Sequence, residues 1–96
     1  MKSDWPFDQP RDCAVITIKS IVHGDEPILL VVHDADDQGW QFLNNQKLRE
    51  EDAAVVALEE IVRLDPTVME VAAIPPGWYA SRDSKTSDWI RVQSAE

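Results

Sequence analysis

The chain has 96 residues, 44% of them hydrophobic, which is enough for one core and too little for two domains. Eighteen acidic against nine basic side chains give a net charge of −9. The bases are scattered singly from Lys2 to Arg91, so the pattern excludes the clustered cations that nucleic acid or an anionic membrane requires. A field of this sign speeds encounter with a basic protein partner, although it also serves solubility alone.

Residues 1–11 carry two prolines with Trp5 and Phe7 and no periodicity. They read as an extended arm lying over the domain with one aromatic plugged into it. Cys13 to Val22 turns to strand, with Ala14, Ile16 and Ile18 on one face and Thr17 and Lys19 on the other. His23-Gly24-Asp25-Glu26-Pro27 is a loop, and Ile28 to His33 reads as a strand buried on both faces. Asp34 to Gly39 is an acidic turn in which Gly39 is expected at positive φ. Trp40-Gln41-Phe42 then restarts alternation, with Trp40 expected in the core against Leu58 and Ile61.

After a polar loop over Asn44–Glu51, the spacing of Val55, Leu58, Ile61 and Val62 predicts an amphipathic helix over Glu51–Leu64. The alternative keeps Val55-Val56 extended and starts the helix near Ala57 or Leu58. Asp65 caps a short second helix with Pro66 at its first position, carrying Val68, Met69, Val71 and Ala72. Ile74-Pro75-Pro76-Gly77 ends it, Trp78 to Arg82 forms a strand, 83–87 a loop, and Trp89 to Val92 returns to the sheet before an arm over 93–96. The expected fold is α+β: an antiparallel sheet of four to five strands with one main helix and a short second one, in a single domain over 1–96.

The longest apolar run, Ile28 to Val32, is far below the ~20 residues of a membrane span. The amino terminus lacks the apolar stretch of a signal peptide, and the lone Cys13 fits a reducing compartment. A cytoplasmic, bacterial-type protein is the expectation.

Candidate chemistry centres on the acidic turn. Asp34, Asp36, Gln38 and Gly39 occupy the first, third, fifth and sixth places of an EF-hand register, but Asn45 stands where the closing bidentate carboxylate belongs. Asp34, Asp36 and Asp37 therefore remain a secondary metal candidate, and no cofactor is expected. Zinc would need His23, His33 and Cys13 to converge without any paired ligand spacing. Nucleophilic catalysis would need Cys13 beside a histidine, whereas His33 is expected to bond locally. Of the four tryptophans, Trp40 and Trp78 are expected in the core. Trp5 and Trp89, in terminal segments, join Asp34, Asp36 and Asp37 as candidate partner-binding residues.

Asp36-Asp37-Gln38-Gly39-Trp40-Gln41-Phe42, then Ile61-Val62-Arg63-Leu64-Asp65-Pro66, then Pro75-Pro76-Gly77-Trp78 followed by Arg82, occur in that order. This pattern resembles a family of small acidic bacterial proteins of unknown function grouped with the immunity proteins of polymorphic toxin systems. The resemblance runs from Ile28 to Arg82 and brings no catalytic residue set. It implies an α+β domain and a partner-binding role. One departure is Lys47 and Arg49 in the loop after Phe42, where a more acidic stretch is expected. The functional expectation is a non-enzymatic protein-binding module, an immunity-type inhibitor of a basic toxin. A small metal- or cysteine-dependent enzyme using the Asp34–Asp37 turn, His33 or Cys13 is the alternative. Oligomeric state is not legible.

Overall fold

A computed structural model describes residues 5–46 and 48–94; the terminal arm positions 1–4 and 95–96, and Lys47, lie outside the described residues. The fold is α+β. Strands β1 (Ala14–Ile18), β2 (Leu30–His33), β3 (Trp40–Leu43), β4 (Ala53–Ala57), β5 (Trp78–Ser81) and β6 (Ile90–Gln93) form one sheet in the order β4-β1-β3-β2-β5-β6. Helix α1 (Lys19–Val22) is a single turn after β1, and α2 (Leu58–Leu64) follows β4 directly. Short 3₁₀ helices cover Glu50–Asp52 and Pro66–Val71. No helix among the described residues is long and apolar enough to cross a membrane.

The expected antiparallel sheet of four to five strands is thus corrected to six strands of mixed direction. β1 and β3 run parallel, with Ile16 opposite Gln41, while every other pairing is antiparallel. The extra strand is β4, taken from the expected helix over Glu51–Leu64. Its five residues pair in continuous register with β1, from Ala14↔Ala57 to Ile18↔Ala53, so the extended alternative for Val55-Val56 holds. Leu58 and Ile61 are fully buried and give α2 its inward stripe. Val55, the first apolar residue of that apparent helical spacing, stands 69% exposed.

The chain reverses after α2 as the sequence predicts. Asp65 accepts a hydrogen bond from the Thr67 amide at 3.0 Å, with Pro66 opening the 3₁₀ helix. The acidic turn closes through the Asp34 amide donating to the Gly39 carbonyl at 2.8 Å. Its positive φ falls on Gln38 (60°) and not on Gly39. Glycine at 39 instead lets the exposed Asp37 side chain fold back on the turn. The Gly39 amide donates to Asp37 Oδ1, and an added Cβ would sit 3.0 Å from that oxygen.

One face of the sheet carries the core. Val15, Thr17, Val31, Trp40, Phe42 and Ala80 point into it, and α2, the Pro66–Val71 segment and the arm residue Phe7 close over them. Trp40 is 2% exposed. Its ring stacks on His33 at 4.0 Å and on Phe42 at 6.1 Å, with Phe7 edge-on at 5.2 Å. Leu58 and Ile61 belong to the same buried cluster. Trp78 is half-buried and packs against that cluster.

A buried ion pair joins the far side of this layer. Arg82 Nη2 donates to Asp65 Oδ2 at 2.6 Å, and the two side chains are 1% and 6% exposed. The remaining guanidinium donors reach the carbonyls of Ile28 and Lys85 and the Thr67 hydroxyl, each at 3.0 Å. Such a charge is tolerable because its donors are so widely engaged.

Candidate functional site

On the opposite face of the sheet most of the described side chains are half-buried or exposed. Side chains alternate along a strand, so register decides which residues share this side. Ile16 stands opposite Val55 and Gln41, Gln41 opposite Val32, Val32 opposite Tyr79, and Tyr79 opposite Val92. A row Val55–Ile16–Gln41–Val32–Tyr79–Val92 therefore crosses all strands without a charged side chain. Every member is half-buried or exposed. Ile16 (39%), Val55 and Ile90 (62%), among the most exposed large hydrophobics, all lie on this face.

The row next to it, Ala53–Ile18–Leu43–Leu30–Ser81–Ile90, is partly covered. Residues 44–46 and 48–52 fold over Ile18 and Leu43, leaving a cavity of about 270 Å³ lined also by Ser20 and Glu26. Within it Ser20 Oγ and Asn44 Nδ2 donate to the Glu26 carboxylate, and these two bonds hold its pKa below the ordinary carboxylate range.

Acidic groups stand at both ends of the open face. Beyond the start of β4 are the exposed Glu50, Glu51 and Asp52, and beyond the start of β3 is the acidic turn. Asp34 accepts from Gln41 Nε2 at 2.8 Å, which ties the turn to the central row, and Asp36 and Asp37 are exposed. A cleft of about 160 Å³ lies between Asp34, Asp36, Val32 and Gly77. These carboxylates do not gather for a cation: among the described residues no three His, Cys, Asp or Glu side chains are placed to hold a metal ion.

The other candidate residues fall elsewhere. Trp89 is 7% exposed and lies under the Arg82 guanidinium, 4.1 Å from the ring centre, so its surface is given to the fold. Trp5 is half-buried, donates from Nε1 to the Gln9 carbonyl at 2.7 Å, and carries Arg11 over its ring at 4.6 Å. Gln93 belongs to β6, and the Ser94 amide donates to the Gly77 carbonyl, so order continues into the expected carboxyl-terminal arm.

His33 does not bond locally; its Nδ1 meets the Ile74 carbonyl at 2.8 Å, a residue far along the chain. That contact makes Nδ1 the protonated nitrogen, and Nε2 is buried with no hydrogen-bond partner. Cys13 Sγ approaches only its neighbour's carbonyl, Ala14 O, at 3.6 Å. Neither arrangement provides a nucleophile paired with a base.

Sequence reasoning missed the open face because it assigned the alternation the wrong way round. Ala14 and Ile16 look outward and Val15 and Thr17 inward, where the Thr17 hydroxyl donates to the Phe42 carbonyl at 2.7 Å. Ile28 to His33 is likewise not buried on both faces, since Leu30 and Val32 are only half-buried. The signal available was a shortage: one short helix and a 3₁₀ segment suffice to cover one side of such a sheet. Comparison with family models, curated proteins and solved structures finds no match for this chain.

Proposed function

We propose that this protein is a non-enzymatic protein-binding module that docks a basic protein on its open sheet face, in the manner of an immunity-type inhibitor of a cationic toxin. The observation that carries this reading is the uncharged six-residue row from Val55 to Val92. Contiguous exposed apolar surface on a folded domain marks an interaction site, and interface centres are depleted of charge and rich in aliphatic and aromatic groups. Tyr79, the one aromatic side chain of the row, suits the role of anchor. The occupant follows from charge. A net −9 chain with carboxylates before β4 and in the turn before β3 repels an acidic partner and steers a basic one.

Affinity capture in low and high salt tests the proposal when run in parallel on the wild type and on Tyr79→Glu. The expected result is one basic protein whose association rate falls with salt and which the variant no longer retains, while its circular dichroism is unchanged. A partner retained equally by Tyr79→Glu, or a stoichiometric metal ion that leaves with Asp34→Asn and Asp36→Asn, would overturn it.

A further inference from the structure

The two edges of the sheet are unequal. On β6 the Arg91 guanidinium crosses to the Glu70 carbonyl at 2.9 Å, placing a charge along the strand. β4 is the sequence Ala-Ala-Val-Val-Ala, with no charge, proline or bulge to blunt it. Natural sheets normally guard such edges, because unpaired backbone groups template the addition of another strand.

The register shows which groups are offered. The Leu58 amide donates to the Cys13 carbonyl at 2.8 Å, so that pair is a hydrogen-bonded one. Alternation then turns the backbone of Ala54 and Val56 inward to Thr17 and Val15, and that of Val55 outward. The Ala53 amide is engaged by Glu50 O. Facing out are Val55 N–H and C=O, the Ala57 N–H and the Ala53 carbonyl.

We infer that β4 is a strand-addition site, and that its occupant is an extended segment of a basic protein with an apolar centre and Lys or Arg on both flanks. The inference rests on the protein-binding reading and names how the partner engages. Charge selects the occupant. Glu50 and Asp52 at one end of β4, and Asp12 and Glu59 at the other, are exposed and make no ion pair among the described residues, whereas Glu51 and Glu60 already face Arg49 and Arg63. A second copy pairing antiparallel about Val55 would bring residues Glu50–Asp52 of each chain beside Glu59 and Glu60 of the other. Like charges at such positions oppose pairing, so self-addition is disfavoured. A segment with basic flanks meets opposite charge at both ends and places a branched aliphatic residue against Val55.

The test uses a capped synthetic peptide, Lys-Arg-Thr-Val-Thr-Val-Thr-Arg-Lys, added to the full chain while amide exchange is followed by NMR. The expected result is at least tenfold slower exchange at Val55 and Ala57, lost with a peptide N-methylated at alternate residues and weakened in high salt. Val55→Pro removes an outward donor without touching the ladder to β1 and is expected to abolish the protection. Glu50→Lys with Asp52→Lys, which leaves the backbone intact, is expected to weaken it if the proline variant does not fold. No protection at millimolar peptide, or equal protection in the charge-reversed variant, overturns the inference. A captured protein lost by Tyr79→Glu but retained by Val55→Pro would sink strand addition alone, whereas retention by both would sink the docking function itself.

Discussion

Adjacent residues of β1 face opposite worlds. Thr17 is completely buried and bonded across the sheet to Phe42, while Ile16 beside it leaves 39% of its surface in solvent. The same contrast runs across the molecule: one face stacks Trp40, Phe42 and His33 under Phe7 and α2, and the other, outside the corner at Ile18 and Leu43, presents side chains that are half-buried or exposed. Hydrophobicity alone therefore does not mark the core. What marks it is which side receives a second layer, and α2 with the Pro66–Val71 segment supplies that layer to one side. A polar residue sits inside where its hydroxyl has a partner, and apolar residues sit outside where no second layer covers them.

Substitutions on the two faces sharpen this contrast. The largest effect is expected at Asp65. Asp65→Ala leaves the Arg82 guanidinium buried without its carboxylate and should cost about 3–5 kcal/mol in urea denaturation. Next comes Thr17→Val, which leaves the Phe42 carbonyl without that donor and should cost about 1–3 kcal/mol. Ile16→Thr, one position away on the open face, should change stability by no more than about 0.5 kcal/mol. A cost at Ile16 matching that at Thr17 would mean the open face is covered in solution, and the contrast would fail.

Glu26, beneath the covered corner of the open face, gives the smallest effect. Its carboxyl is held low by Ser20 and Asn44, so its stabilising contribution is complete above the ordinary carboxylate range. That contribution is lost as pH falls through the lowered folded-state value. Glu26→Gln should flatten this limb of the stability–pH curve and leave neutral-pH structure unchanged.

Local chemistry made much of the fold legible. Asp65-Pro66 announced its own cap, Gly24 and Gly77 stand at positive φ in loops read as breaks, and Leu58 and Ile61 marked the inward side of α2. What escaped depends on residues distant in sequence. Val55 and Val56 become strand because β1 lies beside them, and β1 runs parallel to β3, a choice no local pattern encodes. His33 finds its partner at Ile74, and Trp89 is drawn inward by Arg82, which also grips Ile28. The acidic turn was the most conspicuous segment of the sequence, yet the structure makes it an end-piece of the uncovered face. Apart from Val55, read first as helix, each residue of its central row, taken singly, looked like ordinary strand interior.

The strand order also sets a sequence in time. β2 with β3, and β5 with β6, are hairpins whose closure needs only short loops. β1 must find Gln41 on one side and Val55 on the other, with much longer stretches of chain intervening. Loop-closure entropy delays such pairings, as it does that of β2 with β5, so the β1–β4 rim is expected to assemble after the hairpins and, as an edge of the sheet, to open early. A strand bound along β4 would then hold a part of the sheet that is still unformed at the folding barrier. Its effect would appear as slower unfolding with the folding rate unchanged, and the partner would lengthen the lifetime of the fold that receives it.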